Sequence, residues 1–260
     1  MNNSKKTILT VALLLSSSLA LQAKWYDYTP LVWLVGKSKQ KLGLELLEEI
    51  RNQEYEEEIF ELLEKNPDVN VQDERGATSL MLAIYHNNIE LAQKLIEKGA
   101  DTNIQETLSG LTALMITTET NSLAMTKLLL KNGAEINQQM ILGFTALTYA
   151  VIQNRPKLVA FLLEEGADPN VQGWAVGLTP LILAASEGYT KITNLLLEYG
   201  ANPNIPDFSG KTAIDYAKEK ENPEIMKMLT NQRSCSTEDY PEENIEITNT
   251  ETTCGCEITE

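Results

Sequence analysis

The stretch GLTPLILAASEGYTKITNLLLEYGANPN, residues 177–204, recurs along the chain with the same punctuation at both ends. A Gly-x-Thr opening stands at Gly76, Gly110, Gly143, Gly177 and Gly210, at spacings of 34, 33, 34 and 33 residues, and a Gly-Ala closing stands at Gly99, Gly133, Gly166 and Gly200. A fixed period of this size marks stacked supersecondary units, each too small to bury its own apolar face and completed by its neighbours.

Each unit reads as two short helices. Thr179-Pro180 supplies an N-cap hydroxyl that can accept a free backbone N–H, followed by a residue with no N–H to leave unpaired. Leu181, Leu183, Ala184 and Ala185 then give a short apolar helix that ends at Gly188, where a positive φ costs little. Asn87, Asn121 and Asn154 hold the equivalent positions, and asparagine is the next residue able to turn left-handed. A second helix carries Ile192, Leu195 and Leu196 at helical spacing and stops at Gly200. The turn-rich segment from Asn204 to Gly210 crosses to the next unit as a projecting hairpin or loop. In this register Leu147 belongs to the first helix of the third repeat and should be buried against the repeats on either side.

These residues resemble the ankyrin repeat, whose pattern runs G-x-T-P-L-H-x-A and then a second helix ending L-L-x-x-G-A-D-x-N. Thr78 to Ala83, Thr145 to Ala150 and Thr179 to Ala184 carry the first half, and Gly99-Ala-Asp101, Gly133-Ala-Glu135 and Gly166-Ala-Asp168 carry the second. The resemblance covers roughly residues 66 to 230. It implies an all-α ankyrin-repeat solenoid, with repeats at about 73–106, 107–139, 140–172, 173–206 and 207–232, the last a polar cap. One departure is systematic. Where the family usually has histidine after T-P-L, this chain has Met81, Met115, Thr148, Ile182 and Asp215, so the hydrogen bonds that histidine makes to neighbouring loops should be missing or replaced. The resemblance also implies a non-catalytic module that presents hairpin tips and inner helices as a continuous concave surface to a partner protein. Exported bacterial members include accessory proteins for envelope enzymes and inhibitors that neutralise toxins, and the fold alone does not name the partner.

Ahead of the repeats, residues 1–23 read as a secretory signal: Lys5 and Lys6 are positive, Ile8 to Leu21 is mostly apolar, and Ala20 and Ala23 offer small residues for cleavage. The apolar run is shorter than a membrane-spanning helix needs and contains Ser16, Ser17 and Ser18. The expected destination is a bacterial periplasm or the medium, and the absence of an Asn-x-Ser/Thr acceptor after residue 23 fits it. Residues 24–72 lose the period and read as a helical N-terminal cap or degenerate first repeat, with helices over Leu42 to Ile50 and Tyr55 to Leu63. Trp25, Tyr26 and Trp33 in this stretch read as cap packing, with a ligand site as the alternative.

Charge narrows the partners. The formal net charge is −16, and removing Lys5 and Lys6 with the signal makes it −18, so nucleic acid and anionic membrane surfaces are repelled. Residues 233–260 are rich in Glu, Thr, Ser and Asn without helical period and read as a disordered acidic tail. That tail holds all three cysteines, Cys235, Cys254 and Cys256. A disulfide from Cys235 to Cys254 or Cys256 would leave one thiol over, and a soft-metal site using the Cys-x-Cys pair is the sharper alternative. An alternative function, redox or metal handling, rests on these residues alone. Nothing else suggests catalysis: His86 is the sole histidine, beside the Asn87 turn, and no phosphate loop, dinucleotide fingerprint or nucleophile motif is present. No catalytic, cofactor or metal residue is therefore expected.

The loops between repeats are apolar where charged or small polar residues are usual. Counting back from each Gly-x-Thr, they carry Leu108, then Ile141 and Leu142, then Trp174 and Val176, then Phe208, while the first keeps Glu74 and Arg75. Equivalent positions line up in a stacked array, so these six side chains should form a row along one edge that contacts a partner. The competing expectation is that adjacent tips pack on one another, or that Met140 and Trp174 fold back over the helices.

Overall fold

A computed structural model of the chain describes residues 39–52 and 56–235. These residues form twelve α-helices: α1 Lys39–Asn52, α2 Glu56–Glu64, α3 Ser79–Tyr85, α4 Ile89–Glu97, α5 Ala113–Glu119, α6 Leu123–Lys131, α7 Ala146–Ile152, α8 Pro156–Glu164, α9 Pro180–Glu187, α10 Thr190–Glu198, α11 Ala213–Glu219 and α12 Pro223–Cys235. Among the described residues the only extended pairing is two isolated bridges, Gln72 with Thr78 and Gln105 with Thr112, at the bases of two tips. The fold is an all-α repeat solenoid, as the spacing predicts.

The repeated punctuation sets the helix limits. Thr78, Thr112, Thr145 and Thr179 each accept a hydrogen bond on Oγ1 from the backbone N–H three residues on, at 3.2–3.3 Å. Such a cap contributes about 1 kcal/mol per helix. In the last unit Asp215 completes the arrangement, its carboxylate accepting from the Thr212 N–H at 3.0 Å and the Thr212 hydroxyl at 2.8 Å. The first helices of the middle units end at Asn87, Asn121, Asn154 and Gly188, all at φ between 52° and 78°.

Packing follows two layers. Helices α1, α3, α5, α7, α9 and α11 contact one another in succession, and each packs against its own second helix, α2, α4, α6, α8, α10 or α12. The core is continuous along the stack and includes Leu80, Leu114, Leu147 and Leu181, one per unit at the same position. Leu147 is 0% exposed, as expected. Burying a leucine fully is worth about 1.5–3 kcal/mol, and here that gain exists only because the adjoining units are present.

The pair α1–α2 stacks on α3–α4 in the way that successive units stack on one another. Asn66 at φ 55° ends α2 where later units have Gly99 or Gly133. The segment Asp68-Val-Asn70-Val-Gln72 then aligns with Asp101-Thr-Asn103-Ile-Gln105, with Asp, Asn and Gln in the same places. Gly43 lets α1 lie directly on this segment, since an added Cβ would sit 2.2 Å from the Asp68 carbonyl oxygen. Arg51 of α1 pairs with Asp73 in the first tip. At the far end α12 runs to Cys235, three residues into the stretch read as tail. The expected signal at 1–23, Trp25, Tyr26, Trp33 and the tail from residue 236, including Cys254 and Cys256, lie outside the described residues.

Candidate functional site

Each tip closes on its glycine. Gly76, Gly143 and Gly210 donate to the carbonyl three residues back, whereas Gly110 and Gly177 donate to the carbonyl four back, at 2.8–2.9 Å. The second and fourth tips thus carry one extra residue, which accounts for the alternating 34 and 33 spacing. A ladder of single backbone bonds joins successive tips: Thr107 N–H to Arg75 O at 2.9 Å, Ile141 to Ser109 at 3.0 Å, Trp174 to Leu142 at 2.8 Å and Phe208 to Val176 at 3.1 Å.

The six apolar tip residues divide along this ladder. Leu108, Ile141, Trp174 and Phe208 are 68%, 54%, 61% and 66% exposed. Leu142 and Val176, whose carbonyls accept the ladder bonds, are half-buried against the core. They depart from the expected row because the residue just before the glycine turns inward while the donor residue of the next tip, Ile141, Trp174 or Phe208, turns out; in the second tip the donor is Thr107, and the exposed Leu108 follows it. Met140 does fold back and is buried, but Trp174 does not. The exposed rings nonetheless lean on the preceding tip. A Cβ added to Gly143 would stand 2.7 Å from Trp174 Cδ1, and one on Gly177 would stand 2.6 Å from Phe208 Cδ1.

From α3 on, each first helix begins three residues beyond its tip glycine, so its N-terminal end adjoins the tip. Tyr149 on α7 donates its hydroxyl to Glu119 Oε1 on α5 at 3.0 Å, and Glu106 in the second tip is close enough to act electrostatically on both. Burial raises the Glu119 pKa, opposed by the Tyr149 hydrogen bond and reinforced by the Glu106 charge. Burial first, then Glu119, raise the Tyr149 hydroxyl well above the usual tyrosine value. At the last unit Tyr216 donates to Asp207 Oδ2 at 2.6 Å. Burial alone would raise the Asp207 carboxyl, but hydrogen bonds from Tyr216, Ser209 and the backbone of Lys211 and Ser209 outweigh it and hold the carboxyl below its ordinary value. Lys211 Nζ lies 2.5 Å from Glu219 and 5.4 Å from the centre of the Tyr216 ring.

Two polar ladders, absent from the expectations above, hold the tip bases. Asn70, Asn103 and Asn170 donate from Nδ2 to the carbonyls of Gly99, Gly133 and Gly200 at 2.9–3.1 Å. Asn70, Asn103, Asn137 and Asn170 accept on Oδ1 from the N–H of Asp101, Glu135, Asp168 and Asn202 at 2.7–2.9 Å. Gln72, Gln105 and Gln172 each donate from Nε2 to the glycine carbonyl of their own tip and to a carbonyl of the next, at 2.7–3.0 Å. The signal was available: asparagine recurs at 70, 103, 137, 170 and 204, and glutamine two places on through 172.

His86 caps α3, half-buried and edge-on to Tyr85 at 5.7 Å, and burial lowers its pKa. Among the described residues no group of His, Cys, Asp and Glu is arranged to hold a metal ion, and no helix is long and apolar enough to cross a membrane.

A family model described as ankyrin repeats, three copies, matches the chain in four overlapping placements, residues 32–106, 49–140, 80–173 and 172–239. No curated protein matches the chain.

Proposed function

The chain belongs to the ankyrin-repeat family, whose repeats generally mediate protein–protein interaction and are typically non-catalytic, and we propose that it binds a partner protein through its tips. The observation that carries this reading is the row of four exposed apolar side chains, Leu108, Ile141, Trp174 and Phe208, on successive tips tied by backbone bonds. Water-exposed apolar groups in such a row gain free energy only when covered. The face formed by the first helices lies alongside and widens the contact area.

The proposal extends to location. Residues 1–23 carry the charge, apolar run and small residues of an export signal, which supports a periplasmic or secreted protein, an accessory or inhibitor of an envelope enzyme or toxin. The intact mass of the native protein should correspond to a start at Leu21 or Lys24. A mass matching all 260 residues in the membrane pellet would overturn the export reading.

The test of binding is Trp174→Ala. Truncating an aromatic side chain at the centre of an interface weakens binding by about 2 kcal/mol or more. Because the ring is 61% exposed in the free chain, its removal should leave the melting temperature nearly unchanged. Proteins captured from the native envelope by the wild-type chain should no longer be captured by the variant, as counted by mass spectrometry. Equal recovery by both would overturn the tip row as the binding site.

A further inference from the structure

Between Gly76 and Gly210 the charges are segregated by layer. Every lysine and arginine in this span, Lys94, Lys98, Lys127, Lys131, Arg155, Lys157 and Lys191, lies on a second helix or at its cap. The tips and first helices of the same span carry Glu106, Glu119, Glu187 and the buried Asp207, and no basic residue except the half-buried, depressed His86. Between these limits the apolar row runs beside carboxylates, with Arg75 of the first tip and Lys211 just after the last tip flanking it at the two ends.

Of these carboxylates, Glu106 stands in the second tip and acts electrostatically on Glu119, while Asp207 is buried. Glu106 accepts from the Ser109 hydroxyl, and Glu119 from the Tyr149 hydroxyl. No ion pair among the described residues includes either. Two like charges beside each other, one of them partly out of water, disfavour one another, and a cation brought between them is attracted by both. Leu108 stands two residues from Glu106 in the same tip, so an apolar contact and a cation contact fall within reach of one partner segment.

Resting on the tip-binding reading above, we infer that the partner is a protein segment of basic-apolar character, with aliphatic or aromatic side chains covering the tip row and a lysine or arginine seated at Glu106 and Glu119. The net charge of −16 adds attraction over longer range and would speed encounter with such a partner at low salt. The same charge opposes a second copy of this chain as the occupant.

The probe is a random 16-residue peptide library displayed on phage, selected on the purified chain at low salt and counter-selected on its Trp174→Ala variant. Peptides that survive should be enriched in Lys or Arg together with aromatic or aliphatic residues, and poor in Asp and Glu. A synthesised representative should bind Glu106→Gln/Glu119→Gln about tenfold more weakly than wild type at low ionic strength, with the difference shrinking as salt screens it. Both substitutions keep a carbonyl acceptor for Ser109 and Tyr149, and unfolding curves of the variant establish that it is folded. Trp174-dependent peptides without basic enrichment, or unchanged binding to the double variant, would overturn the charge assignment and leave the tip site standing. Failure to select any Trp174-dependent peptide would overturn both. A Trp174-dependent dimer in sedimentation equilibrium would assign the row to a second copy and overturn the inference as well.

Discussion

Gly133 and Gly143 share a backbone conformation and differ in surroundings, which makes them a matched test of the stacked tips. Their φ angles are 85° and 79°. A Cβ added to Gly133 would meet nothing within 4 Å, whereas one added to Gly143 would lie 2.6 Å from the Trp174 backbone nitrogen and 2.8 Å from its Cγ. Gly133→Ala thus isolates the cost of placing a side chain in the left-handed region, about 1–2 kcal/mol, less whatever the stiffer unfolded chain returns. Gly143→Ala carries that cost and must also push the Trp174 backbone away. The 2.8 Å bond from Trp174 N–H to Leu142 O cannot survive the shift, which adds about 1 kcal/mol, and the ring loses its seat. The expected total is about 3 kcal/mol. Urea unfolding followed by circular dichroism, with free energies from linear extrapolation, should place Gly143→Ala below Gly133→Ala by about 1–2 kcal/mol. Equal losses, or a larger loss for Gly133→Ala, would refute the contact between the third and fourth tips.

Other outcomes follow from the ladders and the tyrosine pairs. Asn103→Ala removes the donation to Gly133 O at 2.9 Å and the acceptance from Glu135 N–H at 2.8 Å, and should cost about 1–2 kcal/mol in the same urea assay because water replaces both bonds in part. Asp207, held below its ordinary value, contributes stability that is present above the unfolded carboxylate pKa of 3.8 and lost as pH falls through the folded value. Tyr216, raised above its ordinary 10.0 by burial and then by Asp207, contributes stability that is present below pH 10 and lost as pH climbs past it. Melting curves should therefore fall at both extremes, with Asp207→Asn blunting the acid limb and Tyr216→Phe the alkaline limb; unchanged limbs in these variants would contradict the assignment.

What could be read locally was legible in the sequence. Threonine caps, left-handed Asn87, Asn121 and Asn154, and the glycine stops act within a few residues of themselves, so their chemistry and their spacing agree. The pairing of Tyr149 with Glu119 spans 30 residues and depends on how two first helices are staggered, which no local pattern encodes. The division of the tip residues was hidden for a similar reason. Whether Leu142 or Ile141 turns out depends on which carbonyl closes the turn, and the alternating period held that information only once the two turn sizes were known. The pair α1–α2 stayed open between a helical cap and a degenerate repeat because Asn66 stands where later units use glycine, although Asp68, Asn70 and Gln72 keep the pattern.

The missing histidine connects these points. At its position Met81, Met115, Thr148 and Ile182 are buried, so the first helices use that site for packing, and the loops are tied at the hairpin bases. There the amides of Gln72, Gln105 and Gln172 each bridge two tips, and the asparagines fix the chain as it leaves the second helix. Side-chain amides that bond to backbone on two sides hold the base of a tip without involving its extremity. Leu108, Ile141, Trp174 and Phe208 are consequently carried on bases already ordered in the free chain. A contact made by a row ordered beforehand loses less conformational entropy than one made by mobile loops, and more of the apolar burial then appears as affinity. On this argument the ordered bases and the apolar tips serve one end: the side-chain amides hold the bases in place, and the tips carry on them the side chains that gain from being covered.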